Sequence, residues 1–362
     1  MAARRRGRSG DMTGGFWHGR RVFITGHTGF KGAWLTAGLL RDGAIVTGYA
    51  LPPPTDPALF DLLGLAHKIT HIESDVRDVA KLSAAVAGAR PEIVFHLAAQ
   101  SLVRPSYEDP RGTFDTNTTG TLNLLEALRA CPSVRAIVVV TSDKCYFNNE
   151  TGAFFREDDP LGGKDPYSAS KAAAEIVARS YYESFFKAAG VPLATARAGN
   201  VIGGGDWAKD RLIPDVARAY AAGAPVLIRN PGATRPWQHV LEPLRGYRLL
   251  AEKLFTDGGI FSGGWNFGPR PGDIRAVGDV LARLKETLPF DLQPDAAPQP
   301  EEARTLALDI HKAEEKLGWR PRLRLDDALR WTGVWYKNFG DGASAQDLTL
   351  RQIEDYAHME DT

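Results

Sequence analysis

Residues 21 to 25, RVFIT, form a short β-branched run that stops at GHTGFKG. After the loop, apolar residues recur at helical spacing through Trp34, Leu35, Leu39 and Leu40. A strand, a glycine loop and a helix in that order constrain the chain more than any other stretch. Gly26, Gly29 and Gly32 let the backbone turn tightly and approach a diphosphate, whose charge meets the positive end of the helix. The spacing GxxGxxG also occurs in structural turns, but the strand before it and the helix after it make this a dinucleotide-binding loop. Phe30 and Lys31 belong to the same loop; Lys31 reads either as a cation near the phosphates or as a solvated side chain.

The rhythm set by this unit repeats. A second strand, AIVTGYAL, ends in Tyr49, Ala50 and Leu51, where a ribose-binding acid would be expected. With no acid there and no nearby Arg for a 2′-phosphate, the residues favour neither NAD nor NADP. The third strand region, KITHIESD, ends in Asp75 beside Val76; Asp75 is either a partner for the adenine edge or an ordinary N-cap. A fourth, EIVFHLAAQ, delivers Leu97 and the small Ala98 and Ala99, over which a cofactor could lie close. Helical pattern runs from about Thr113 to Leu128. The fifth strand, AIVVVTS, delivers Thr141 and Ser142. Near-continuous apolar strands alternating with helices predict a parallel sheet covered on both faces. The fold class is therefore α/β, a Rossmann-type doubly wound parallel sheet with a smaller, mixed C-terminal substrate lobe. The expected divisions are a basic disordered tail over 1–15, the dinucleotide domain over 16–200 with later segments returning to it, the substrate lobe over 201–340, and a polar tail over 341–362.

Residues 141 to 171 carry the chemistry. Tyr167 and Lys171 stand four residues apart on one helix, so the ammonium can lie near the phenol and favour its ionised form. A free phenol titrates near about 10, so a tyrosine base at neutral pH needs such a neighbour. The same pair occurs on many amphipathic helices; the glycine loop and the arrival of Ser142 from an apolar strand give it catalytic meaning here. Past residue 200 the chain breaks into Gly/Pro-punctuated pieces with Arg211, Arg229, Arg235 and Arg304 among them, guanidinium forks of the kind that match phosphate oxygens.

The chain has 362 residues, with 44 Lys plus Arg against 44 Asp plus Glu, so no net basic charge suggests nucleic acid. No apolar run approaches the roughly 20 residues that span a bilayer. Cys131 and Cys145 are its cysteines; they give no disulfide framework and no metal spacing, so no metal is expected and a reducing, cytoplasmic setting follows. The basic opening lacks the apolar stretch of a secretory signal, and either Met1 or Met12 can be the start. The two long helices are apolar on more than one side, as expected of a homodimer, or of a tetramer built from one.

Taken together, the glycine loop, the Asp75 position, HLAAQ, Ser142 and the Tyr167/Lys171 pair resemble the extended short-chain dehydrogenase/reductases. Within that family GHTGFKG, HLAAQSLVRPSYEDP, TSDKCY, DPYSASK, RAGNVIGGGDWAKDRLIPD and RPWQHVLEPL resemble the branch that dehydrates CDP-glucose. The resemblance implies a tightly held NAD, oxidation at C4 of the hexose, loss of water across C5 and C6, and reduction at C6. It implies Tyr167 as the base for oxidation, Lys171 as its partner, Ser142 as a hydrogen-bond partner of the 4-oxygen and Asp143 as the acid for the departing 6-hydroxyl. Lys144 stands where dehydratases acting on dTDP-glucose carry Glu: it is either the C5 base or a charge that stabilises the enolate. By position, Gly26, Gly29, Gly32, Asp75, Ala98, Tyr167 and Lys171 would line the NAD site, and Asn117, Asn200, Arg211 and Arg235 would hold the sugar nucleotide. A nucleotide-sugar 4-epimerase would share Tyr, Lys and NAD but has no need of Asp143-Lys144. A dinucleotide-sensing protein without catalysis would be expected to lose the Tyr or the Lys, and both are present.

Overall fold

The computed structural model describes residues 15–228, 230–295 and 306–360. Seven parallel strands make one sheet: β1 (Arg21–Thr25), β2 (Ile45–Ala50), β3 (Thr70–Glu73), β4 (Ile93–His96), β5 (Ala136–Val140), β6 (Leu193–Ala198) and β7 (Gly263–Phe267), in the order β7-β6-β5-β4-β1-β2-β3. Each neighbouring pair is parallel, with registers such as Phe23 on Thr47 and Val138 on Ala194. The order reverses beside β1, which opens a crevice at the carboxyl ends of β1 and β4, the usual ligand position in such sheets. β7 comes late in the chain yet pairs with β6 at the edge of the sheet.

Side chains alternate strictly across the strands, as a period of two requires. Val22 and Ile24 join one core with Trp34, Leu35, Leu250 and Leu254, from helices α1 (Phe30–Arg41) and α6 (Leu241–Asp257). Phe23 joins the other with Leu82, Val86, Leu124 and Leu128, from α2 (Val79–Ala89) and α3 (Gly120–Arg129). Beside α3 lies α4 (Pro166–Tyr181), the helix of Tyr167 and Lys171. Its start is fixed locally: Asp165 accepts from the Ser168 N–H at 2.9 Å, and Pro166 occupies the first turn, where its missing N–H costs nothing.

The smaller lobe uses short pairings, Val201–Ile202 with Gln238–His239 and Thr234–Arg235 with Arg275–Ala276, together with α5 (Leu212–Ala222). Helix α7 (Leu325–Gly340) supplies Trp335, Tyr336 and Phe339, whose rings surround Trp207 at centroid distances of 5.8, 6.1 and 5.6 Å. Trp207 is thus packed against α7. The polar stretch 341–362 is not simply a tail. Residues Ala345–Ala357 form helix α8, which buries Ala345, Ile353 and Tyr356; too few apolar residues mark its inner face for the pattern to stand out in the sequence. The basic residues 1–14, Arg229 and Arg304 lie outside the described residues.

A buried ion pair ties the layers together. Arg197 of β6 donates through Nε and Nη2 to the Glu175 carboxylate of α4 at 2.9 and 2.8 Å. Thr141 and Thr195 add bonds of 2.5 and 2.7 Å to the same carboxylate, and Arg197 Nη1 donates to the Tyr146 hydroxyl at 2.6 Å. Burial raises the carboxyl, but Arg197 and these bonds outweigh it and hold Glu175 below its ordinary range. Replacing Arg197 with Met leaves a buried carboxylate without its cation, so Arg197→Met is expected to lower the free energy of unfolding by about 3–5 kcal/mol in urea melts at neutral pH. A loss below about 1 kcal/mol would mean the pair is not holding the layers.

Candidate active site

At the carboxyl edge of the sheet lies a cavity of about 1020 Å³. Its walls include Gly26, Gly29, Phe30, Lys31, Gly32, Asp75, Val76, Leu97, Ala98 and Ala99 from the dinucleotide half. Thr141, Ser142, Asp143, Lys144, Tyr167, Lys171, Asn200, Arg211 and Arg235 line it on the side of the predicted chemistry. The fold brings these sequence-predicted residues together. Asn117 is the exception. Its buried amide accepts from the Gln100 N–H at 2.8 Å and donates to the Gln100 carbonyl and the Ser170 hydroxyl at 2.9 and 2.8 Å. It pins the loop after β4 to α4 instead of facing the cavity.

The glycines divide by what surrounds them. A Cβ on Gly26, which has φ +76°, would stand 2.6 Å from the Ala98 nitrogen, so the chain itself requires glycine there. A Cβ on Gly29 would meet nothing closer than the Gly26 oxygen at 3.5 Å. Among the described residues nothing demands glycine at 29, and Gly29 lines the cavity. Gly29 is also the N-cap of α1 and offers no side-chain acceptor, which leaves the first-turn N–H groups for an anion. Asp75, at the far end, already holds Arg77: its carboxylate accepts from the Arg77 N–H at 2.8 Å and from the guanidinium at 2.9 and 2.6 Å, which keeps it below the usual range.

Ser142, Asp143, Tyr167 and Lys171 are all buried. The Ser142 hydroxyl donates to Asp143 Oδ1 at 3.0 Å and accepts from the Lys144 N–H at 3.2 Å. Among the described residues Asp143 Oδ2, which is buried, has no hydrogen-bond partner. Burial pushes the Asp143 carboxyl above its usual range, against the pull of Lys144, Ser142, Arg235 and Lys31. Burial thus shifts this carboxyl toward its protonated form. Gly199 makes this possible, because a Cβ there would lie 2.6 Å from Asp143 Oδ2. Gly199 went unremarked in the sequence, since nothing in RAGN marks a glycine as making room for a residue 56 positions away (199 minus 143).

The phenol departs from the simple expectation. Burial pushes Tyr167 up to about 12; the Ser142 hydrogen bond lowers it, Asp143 raises it and Arg211 lowers it, and Lys171 is not among the strongest influences. The Lys171 ammonium instead donates to the Val140 carbonyl at 3.3 Å, and burial draws it down to about 8 against the Glu175 carboxylate. Glu175, one turn beyond Lys171, was findable by the same four-residue spacing. Ser106 also escaped notice: its hydroxyl accepts from the Tyr167 N–H at 3.2 Å. On the substrate side Arg211 donates to Asp206 Oδ2 and to the Ser101 hydroxyl, each at 3.0 Å, so its fork is fixed across the cavity mouth.

Known proteins resemble this chain in sequence and fold. The family model for GDP-mannose 4,6 dehydratase matches residues 23–332. A CDP-glucose 4,6-dehydratase of Salmonella typhimurium is 49% identical over 94% of this chain and 97% of its own length. A dTDP-glucose 4,6-dehydratase of Xanthomonas campestris is 29% identical over 86% of this chain and 92% of its own. Among solved structures, the Thermus thermophilus UDP-glucose 4-epimerase complex with NAD superposes with a TM-score of 0.76 at 27% identity, covering 89% of this chain and 99% of that one. With a seven-stranded parallel sheet, a glycine loop at β1 and the Ser142/Tyr167/Lys171 set at one edge, the chain belongs to the GDP-mannose 4,6 dehydratase family of extended short-chain dehydrogenase/reductases.

Proposed function

We propose that the protein is an NAD-dependent hydro-lyase that converts CDP-D-glucose to CDP-4-keto-6-deoxy-D-glucose and water. The observation that carries this reading is a buried carboxyl held above its usual range, Asp143, next to Ser142 in the same cavity as Tyr167 and Lys171. An epimerase has no use for an acid there; a dehydration needs one. The choice of CDP-glucose is supported by the Salmonella relative.

The residues suit NAD. Gly29 leaves room for a diphosphate, the α1 N-terminus receives its charge, and Ala98 and Ala99 keep the sheet edge low. Bound there, NAD would accept hydrogen from C4 of the hexose and return it at C6. On this reading Gly26, Gly29, Gly32, Asp75, Val76 and Leu97 border the dinucleotide, and Thr141 and Lys171 border its nicotinamide end. Tyr167 takes the proton of the 4-hydroxyl. Its high resting value is lowered by the Ser142 hydrogen bond and by Arg211, and an oxidised cofactor ring would act in the same direction. Ser142 donates to the 4-oxygen and so stabilises the charge that develops there. Asp143 gives its proton to the departing 6-hydroxyl. Lys144, half-buried beside Asp143, moves the C5 proton or stabilises the enolate. Arg211, Arg235 and Asn200 hold the sugar diphosphate.

We also read the protein as a homodimer or a tetramer of such pairs. Leu122 on α3 and Ile176 on α4 expose 38% and 59% of their surface, and Phe185 just beyond α4 exposes 40%. Among the described residues no helix is long and apolar enough to cross a membrane, and Cys131 and Cys145 are free thiols. A cytoplasmic setting fits those thiols.

Incubation with CDP-glucose and NAD should yield the alkali-labile chromophore of a 4-keto sugar; no reaction with CDP-glucose but turnover of another sugar nucleotide would overturn the substrate. Tyr167→Phe should cut kcat by roughly 10²–10⁴-fold while CDP-glucose binding, read by calorimetry, is kept. Because Asp143 works in its protonated form, elimination should be present below its raised pKa and fade as pH climbs through it. Asp143→Asn should oxidise C4 yet release no water, and full turnover by that variant would remove Asp143 as the acid. In Lys144→Met, loss of solvent-deuterium exchange at C5 would support a base, whereas undiminished exchange would leave Lys144 only an electrostatic role.

A further inference from the structure

The stretch GGGDWAKDR, residues 203–211, supplies Gly203, Asp206, Trp207 and Arg211 to the cavity wall and is held from three other elements. Trp34 Nε1 of α1 donates to the Gly204 carbonyl at 3.0 Å, and a Cβ at 204 would overlap the Trp335 ring of α7. Arg218 of α5 donates through Nη1 to the Trp207 carbonyl at 2.6 Å. The closest hold is on Asp206. The Tyr336 hydroxyl of α7 donates to the Asp206 carbonyl at 2.5 Å and accepts from the Asp206 N–H at 3.0 Å, across 130 positions of chain. Burial pushes that phenol well above its ordinary value and so keeps its proton in place. One buried hydroxyl thus satisfies both backbone groups of Asp206, and removing it leaves both without that partner.

Asp206 in turn directs a side chain. Its carboxylate, 5% exposed, accepts from the Ala208 N–H at 3.1 Å through Oδ1 and from Arg211 Nη1 at 3.0 Å through Oδ2. Arg211 Nη2 donates to the Ser101 hydroxyl at 3.0 Å. A guanidinium carries five N–H donors in one rigid plane, so two such bonds fix its direction and leave donors for an anion. Tyr336 does not line the cavity, nor does any other residue of α7. The contacts therefore run from a C-terminal helix into the substrate side of the site, through Tyr336, Asp206 and Arg211.

We propose that Tyr336 and Asp206 are positioning residues for substrate binding: the hydroxyl fixes Asp206, and Asp206 holds Arg211 in the direction that receives the diphosphate of the sugar nucleotide. This rests on the reading above that Arg211 is a substrate ligand. An arginine already held in its bound direction loses less freedom when the anion arrives, so affinity rises without a new contact to the ligand. The hydride and proton steps belong to other residues. The effect therefore falls on binding and not on turnover.

The test compares the whole wild-type protein with Tyr336→Phe, Asp206→Asn, Arg211→Gln and the double variant Tyr336→Phe/Arg211→Gln. Calorimetry gives Kd for CDP-glucose and for NAD, and steady-state rates give kcat and KM. Tyr336→Phe keeps the ring against Trp207 and removes only the hydroxyl. It should weaken CDP-glucose binding and raise KM by about tenfold, with kcat and the Kd for NAD within about twofold of wild type. The double variant should bind CDP-glucose no worse than Arg211→Gln, because the hydroxyl acts only through Arg211. Phe339→Leu, altering another ring beside Trp207, should lower Tm and leave KM alone. An unchanged Kd for CDP-glucose in Tyr336→Phe, additive losses in the double variant, or an equal rise of KM in Phe339→Leu overturns the proposal while Arg211 remains a substrate ligand. Arg211→Gln that binds CDP-glucose as tightly as wild type removes that underlying reading, and the proposal with it. Wild type that fails to bind CDP-glucose ends both. Should Tyr336→Phe not fold, Asp206→Asn takes its place in the same cycle with the same expected pattern.

Discussion

The rest of the site hangs on a carboxylate that does not line the cavity. Glu175 lies one turn past Lys171 on α4 and is gripped by Arg197 of β6, by Thr195 of the same strand and by Thr141 at the end of β5. Those bonds fix the helix against the two strands that deliver its chemical partners. Through the Tyr146 hydroxyl, Arg197 also holds the segment that follows Asp143 and Lys144, and that hydroxyl donates to Asn266 Oδ1 of β7 at 2.7 Å. A buried pair of this kind adds little net stability compared with an apolar substitute, but it fixes one geometry among several. Here that geometry sets Tyr167 and Ser142 in the same pocket.

Burial then does the chemical tuning. One low-dielectric cavity raises Asp143, raises Tyr167 and lowers Lys171 and Lys31, each toward its neutral form. Such a set is poised: a ligand that brings charge shifts several protons at once. The diphosphates and the cationic ring of the proposed ligands are charges of that sort, and Arg211 and Arg235 stand where they would meet the negative ones.

Much of this was legible in the sequence, because the relevant rules are local. A β-branched run ending in glycines names a strand and a loop, and four-residue spacing puts Tyr167 and Lys171 on one helical face. What escaped depended on contacts across the chain. Asn117 sits in a π-helical stretch, Asp115–Thr119, that sets its amide toward Gln100 and Ser170 and away from the cavity. Gly199 matters only because Asp143 folds against it. The expected pull of Lys171 on the phenol gave way to a bond with the Val140 carbonyl, which no spacing rule contains. Helix α8 was missed because packing on α1 needs only a few apolar residues from it.

The central claim is that one buried cavity both oxidises and re-reduces the same hexose, with Tyr167 and Asp143 handling the protons. The most direct measurement uses CDP-glucose carrying deuterium at C4, turned over by the purified protein with unlabelled NAD and analysed by NMR. The account predicts that the deuterium appears at C6 of the 4-keto product. Deuterium lost to solvent, or still bound at C4 after turnover, would contradict it.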